Sequence, residues 1–377
     1  MIKKLLIKNG TLIAPADGLH SEVKDIYIEN GVIQEIGDDL DYPDVKTLDV
    51  KGLLVTPGFI DIHTHCFNGD GNFGVDADLI GIQRGTTAMI DAGSSGPDTF
   101  ESFNETVIKN RKTKVFALLN ISKEGLKERS ELNSLDKIDL DKVRLTVTKY
   151  PKEIVGLKAR ASASVVGDLG IIPIQMAADV AKELNQILVI HAGNYPPCIK
   201  DVLNLMKPGD VLTHAFHGKK GGILTEDSLI ISEALGARSR GVLFDIGHGS
   251  ASFCFKTYCT AQKQGFYPDF ISTDLHMENF EKTVYSQHAV VTKLINMGEN
   301  LAEMISKVTS FPADVFRLEG LGHLKVGYTA DISISDIINS DDIVVDSSGE
   351  PLQLTKKLVP VYTIVSTEKG SELIENE

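Results

Sequence analysis

A chain of 377 residues, 42% hydrophobic and 24% charged, has room for one large domain with a smaller companion and the balance of a globular protein. A formal net charge of −14 excludes nucleic acid and anionic membranes as expected partners, because such a surface repels polyanions. That charge says little about a small-molecule substrate, the expected partner, because a local pocket can invert the global sign.

The opening MIKKLLIKNGTLIAP carries lysines, but its apolar run is far short of a signal-peptide core. No apolar stretch approaches the ~20 residues that span a bilayer. Cys66, Cys198, Cys254 and Cys259 form no C-x-x-C pair, which argues against a disulfide framework and a cysteine zinc site. Free thiols in a reducing cytoplasm are the expectation. The sequence leaves the oligomeric state open, a homo-oligomer included.

The first stretches, KLLIKNGTLI, DIYIENGVIQEIG and KTLDVKGLLVTPG, alternate like short strands, and Asn30-Gly31 between apolar runs predicts a hairpin. The rhythm then changes. Eight apolar segments follow, at 55–63, 86–93, 115–122, 153–160, 187–193, 210–216, 241–247 and 270–276. Continuous runs of this length suit strands of a parallel sheet covered on both faces. Between them lie helical patterns such as PIQMAADVAKELNQ, with Ile174, Ala177, Ala178 and Ala181 on one face. This alternation predicts an α/β protein, a (β/α)8 TIM barrel over 55–317. GHLKVGYTADISISD and LVPVYTIVS return to strand texture. Residues 1–54 and 318–377 are therefore expected to form a composite β domain, a small β-sandwich made from both termini.

Polar residues punctuate the segment ends. His63 and His65 close the first, Lys158 lies near the end of the fourth, and His191 closes the fifth. His214 lies near the end of the sixth and Asp274 near the end of the eighth. In a TIM barrel these ends share one mouth, where active sites lie. His63-Thr64-His65 has the strand period of two, so both imidazoles point to one side. A lone H-x-H has a bland reading as two hydrogen-bonded histidines. Four histidines and an aspartate at strand ends do not: burying them without a metal costs several kcal/mol. Lys158 is the odd member, because an ammonium has no lone pair to donate. It is either a salt-bridge partner or a carbamate, formed with CO2, that bridges two metals.

With Pro57-Gly58-Phe59-Ile60-Asp61-Ile62-His63-Thr64-His65, the single His191 and His214, Asp274 and the closing Gly320–Asp331 stretch, the chain resembles the amidohydrolase superfamily over nearly its whole length. The resemblance to its binuclear members implies two zinc ions per chain. His63, His65 and Asp274 would bind one, His191 and His214 the other, and carboxylated Lys158 would bridge them. It implies attack by a metal-bridging hydroxide, with Asp274 as catalytic base and then acid.

Substrate contacts are read from position. Arg160 shares a strand face with Lys158 and is either a fork for a substrate carboxylate or a structural ion pair. His248, beyond the seventh segment, is placed to touch substrate, and His217 is a weaker candidate. His20, His288 and His323 fall outside the pattern. Phe67 stands where the dihydroorotases that this chain resembles carry an arginine. What the pattern matches best is the dihydroorotase-like deacetylase branch: hydrolysis of an amide or ester, an acetyl group, on a small carboxylate-bearing substrate. A cyclic amidase and an adenine-type deaminase are the alternatives. A non-catalytic homologue is disfavoured by retention of every ligand position. The loops 66–78, 94–104, 161–172 and 249–260, which set specificity, give no substrate.

Overall fold

The computed structural model describes residues 1–69 and 73–376, so three residues of the specificity loop 66–78, 70–72, lie outside the described residues. Asn30 and Gly31 form the predicted turn. Both have positive φ, +50° and +76°, and Glu29 pairs with Val32 across them. Two consecutive left-handed residues give the turn that matches strand twist, which is why Asn-Gly is favoured there.

The terminal segments join in one mixed sheet of eight strands. Its path runs Gly370–Glu375, Lys356–Thr367, Ile332–Asn339, Leu54–Pro57, Lys4–Ala14, Leu19–Glu29, Val32–Gly37, with Lys46–Asp49 pairing beside Lys4–Ala14. Leu54–Pro57 is the link between the two ends of the chain: it runs parallel to Lys4–Ala14 and antiparallel to Ile332–Asn339. Leu5, Ile7, Leu12, Ile26, Ile28, Ile332 and Ile364 close a core of their own.

A second sheet has seven parallel strands in chain order: Phe59–Thr64, Thr86–Ala92, Lys114–Asn120, Ile154–Ala161, Leu188–Ala192, Val211–Thr213 and Leu243–Phe244. Each falls within, or within a residue of, a predicted segment. The first two are buried at every residue, which is what makes them continuous apolar runs. Two segments differ from expectation. The run 55–63 is split, with 55–57 going to the terminal sheet and the rest to the parallel one. Gly58 sits at the joint, where a Cβ would lie 2.0 Å from Thr87 Oγ1. The eighth segment forms no regular strand. It makes one parallel bridge to each edge of the sheet, Phe270 with Asp245 and Leu275 with Thr64. Asp274 has φ +52°, and a left-handed residue interrupts an extended ladder.

Helix Ile172–Glu183 buries Ile174, Ala177 and Ala181 as the pattern requires, with Ala178 partly covered. A hairpin, Ile343–Val345 with Pro351–Gln353, leaves the terminal sheet and grips the loop after Leu243–Phe244. There Ser347 N donates to Phe253 O, and Phe255 N donates to Asp346 Oδ2 at 2.8 Å. Among the described residues no single helix is long and apolar enough to cross a membrane.

Candidate metal centre

The six predicted ligands converge at the carboxyl ends of the parallel strands. His63 Nε2 lies 3.4 Å and His65 Nε2 3.1 Å from Asp274 Oδ1. Ligand atoms of these three residues fall within 4.8 Å of one another, the span of a metal's donor set. Lys158 Nζ is 3.4 Å from His63 Nε2. The His214 ring lies 4.9 Å from that of His63 and 4.4 Å from that of His191. His214 Nε2 stands 4.0 Å from Asp274 Oδ2. His63, His65, Lys158 and His214 are buried, while His191 is partly exposed.

Hydrogen bonds behind the rings decide which nitrogens face inward as bare lone pairs. His214 Nδ1 lies 2.6 Å from Gly247 O, which can only accept, so Nδ1 carries the proton. Its Nε2 is then an acceptor, yet it is buried with no hydrogen-bond partner. Thr213 Oγ1 donates its one proton to Asp245 Oδ2 at 2.6 Å, so it must accept from His63 Nδ1 at 2.9 Å. The Nε2 of His63 is therefore also unprotonated, and it meets Lys158 Nζ at 3.4 Å. His65 Nδ1 is held by Ser94 Oγ at 2.9 Å. Bare imidazole nitrogens facing a carboxylate in a buried site repel one another until a cation joins them. The donor set thus fits a divalent metal, with hydrogen bonds behind the His63, His65 and His214 rings that orient them.

Electrostatics point the same way. Burial first, then the nearby Lys158, hold His63 well below the ordinary histidine range, and burial brings His214 down to about 3. Neutral rings keep their lone pairs. Burial also lowers Lys158 to about 7, against the pull of Asp274 and Asp245. A large share of free amine at neutral pH is what reaction with CO2 requires. Burial alone would raise Asp274, but the His65 hydrogen bond and the surrounding histidines bring it to about 2. It stays a carboxylate. His214 and Asp274 both hold left-handed backbone, at φ +61° and +52°. Such conformations cost roughly 1–3 kcal/mol and persist where surrounding structure imposes them.

The two substrate contacts expected from sequence, Arg160 and His248, already have partners within the fold. Arg160 is no free fork: its Nε and Nη2 each donate to Glu131 at 2.7 Å, and Nη2 also donates to Arg129 O. Of its two readings, the structural ion pair is the one observed. Glu131 is 2% exposed, so removing its partner strands a buried charge. Arg160→Met is expected to cost ~3 kcal/mol of stability in urea unfolding, by the usual penalty for breaking a buried pair. An unchanged midpoint would return Arg160 to the substrate. His248 is fully buried; its Nδ1 meets Gly249 O at 3.0 Å and its Nε2 meets Lys293 Nζ at 2.8 Å. Both nitrogens are in use within the fold. His217 is also buried, with Nδ1 accepting from Lys219 N at 3.1 Å. His288 stacks under Phe59, and His323 pairs with Asp17 and Asp314. Both lie outside the cluster, as does His20, which is exposed.

Sequence reasoning missed the outer shell. Asp245 holds Thr213 and Ser272, and Asp91 accepts from the Ser94 and Cys66 amides. Asp61 accepts from Thr273 Oγ1 at 2.5 Å. The available signal was an aspartate inside each apolar run, FIDIH, MIDAG and LFDIG, where an uncharged residue would bury more easily. His276 was missed too; it stacks on Phe73 at 4.4 Å, and Phe73 lies 4.9 Å from His65.

No family model matches the chain. A deacetylase of Enterococcus faecalis is 36% identical over 376 residues, covering 99% of each chain. A crystal structure of an adenine deaminase superposes with a TM-score of 0.92 at 34% identity, covering 99% of both chains. A dihydroorotase crystal structure gives 0.92 at 31% identity, over 100% of this chain and 98% of that one. The three names differ in the bond they imply but share one architecture and one superfamily. Likeness at this level along the whole chain means that this protein belongs to the amidohydrolase superfamily, as a hydrolase of its dihydroorotase-like deacetylase branch.

Proposed function

We propose that this protein is a zinc-dependent deacetylase that hydrolyses an acetyl amide or ester on a small carboxylate-bearing molecule. The observation that carries the metal requirement is the buried, unpartnered Nε2 of His214 facing Asp274. The full-length similarity to a deacetylase favours the acetyl group. His63, His65 and Asp274 would hold one zinc, and His191 and His214 the second. Lys158 would bridge as the carbamate, formed when its free amine adds CO2 and releases a proton. When bound, two such ions supply Lewis acidity that polarises a carbonyl and brings a water's pKa toward ~7.

The chain's own groups do the rest. Asp274 turns Oδ1 toward His63 and His65, leaving Oδ2 on the side of His214 and Gly249. Oδ2 is the atom that takes the attacking water's proton and returns it to the leaving nitrogen or oxygen. Asp245 and Thr213 hold the His63 ring, and Ser94 holds His65, so neither must reorient during turnover. The seven parallel strands and segment 270–275 are proposed to close a (β/α)8 ring, supported by the bridges to both sheet edges. Residues 1–54 and 318–377 are proposed as the companion β-sandwich domain, supported by their separate core. A cytoplasmic location is supported by four free cysteines.

Phe67, buried against Phe103, offers no cation to a dihydroorotate carboxylate, which disfavours the cyclic-amidase alternative. The similarity to an adenine deaminase keeps amidine hydrolysis as the second reading. Metal analysis combined with product assay tests the proposal. The expected result is about two equivalents of zinc per chain and acetate release from acetylated hydroxy or amino acids. Metal-free protein, or ammonia release from adenine without acetate release, would overturn it.

A further inference from the structure

We propose that Lys219, on the loop that follows His214, is the cation that binds the substrate's carboxylate. The inference rests on the deacetylase reading above and supplies the anchor that Arg160 cannot. The other cations near the site are engaged. Arg160 is held by Glu131, and Arg129 Nη2 donates to Glu278 Oε1 at 2.7 Å. Lys293 donates to Thr283 O at 2.7 Å and Val345 O at 3.1 Å, besides meeting His248.

Lys219 is different. Its loop turns back at the strand end, where His217 N donates to His214 O at 3.3 Å. The Lys219 backbone N then donates to the buried ring of His217 at 3.1 Å. This pins its backbone to the turn that follows His214 while the side chain stays open to solvent. Gly222 packs on the same ring, and Gly221 lies against Tyr195 of the loop after His191. The segment is thereby braced between the strand ends that carry the two histidines. Among the described residues the Lys219 ammonium has neither a hydrogen-bond nor an ion-pair partner. Partial burial holds its pKa below the ordinary lysine value. An ammonium without a counter-ion, on the loop that leaves the His214 strand end, gains a charge-assisted bond from an anionic substrate. An uncharged purine leaves it unpaired, so the same residue selects an acylated acid over a neutral ring.

Acetate release is measured for wild type, Lys219→Met and Lys219→Arg on a panel of acetylated hydroxy and amino acids and on their methyl esters. Wild type is expected to prefer the acids. In Lys219→Met that preference falls by about 10–100-fold, chiefly through KM on the acids, as loss of a charged hydrogen bond predicts. Lys219→Arg keeps most of it. Calorimetric titration with the product acids gives the same ranking without turnover. Acid preference unchanged in Lys219→Met overturns the assignment and leaves deacetylation standing. Equal losses on acid and ester make Lys219 structural and also overturn it. If wild type releases acetate from nothing in the panel, the deacetylase reading falls and this inference with it.

Discussion

Lys158→Ala is expected to lose bound metal and activity together, with turnover down by about 10³-fold or more, since several kcal/mol of transition-state stabilisation leaves with the ions. The reason lies in the site's charge balance. Three buried imidazoles, the partly exposed His191 and one carboxylate face inward, and only Asp274 among them is anionic. Two divalent cations need a further anion, and Lys158, 3.4 Å from His63 Nε2, is placed to supply it as the carbamate. Burial has already lowered its amine to about 7, so the group that must react with CO2 is largely unprotonated. Millimolar acetate or propionate should partly restore the alanine variant, because a small carboxylate fits the space and replaces the bridge. Wild-type zinc content in Lys158→Ala, by metal analysis, would sink the bridging role.

Asp274→Asn is expected to lower kcat by about 10²–10⁴-fold, the usual worth of a positioned general base. Asparagine keeps the shape and one oxygen for the metal, so much of the metal should stay. What it loses is the ability of Oδ2 to accept and return a proton. Its neighbours hold the carboxylate down at about 2, so it is ionised throughout the neutral range. The backbone is not expected to shift: Asp274 N donates to His63 O at 2.7 Å, and Asn279 Nδ2 holds Asp274 O at 2.8 Å, neither through the carboxylate. Nearly unchanged turnover with retained metal would move the proton shuttle elsewhere. His248 is an unfavourable substitute, because both of its nitrogens are bonded and burial holds it near 3.

The local pattern determined by sequence was the periodic part and the positions of the candidate ligands. Continuous apolar runs announced the parallel strands because both faces of such a sheet are buried, and Asn30-Gly31 announced its turn because few other pairs adopt two left-handed residues. The six candidate ligands were legible as one cluster because strand ends of one parallel sheet must meet at one edge, whatever their separation in the chain. Other features belong to the tertiary structure alone. The division of 55–63 between two sheets depends on how closely Gly58 approaches Thr87, and the irregular eighth segment on the left-handed Asp274. Which nitrogen of His63 carries the proton is decided by Thr213 and Asp245, 150 and 182 positions away in sequence. The roles of Arg160 and Lys219 were likewise invisible locally. Whether a cation is free to meet a substrate is set by the counter-ion that folding brings to it, and Glu131 reaches Arg160 from a different loop while no carboxylate among the described residues reaches Lys219. Strand period can place a side chain on a face; only packing across the fold determines what already occupies it.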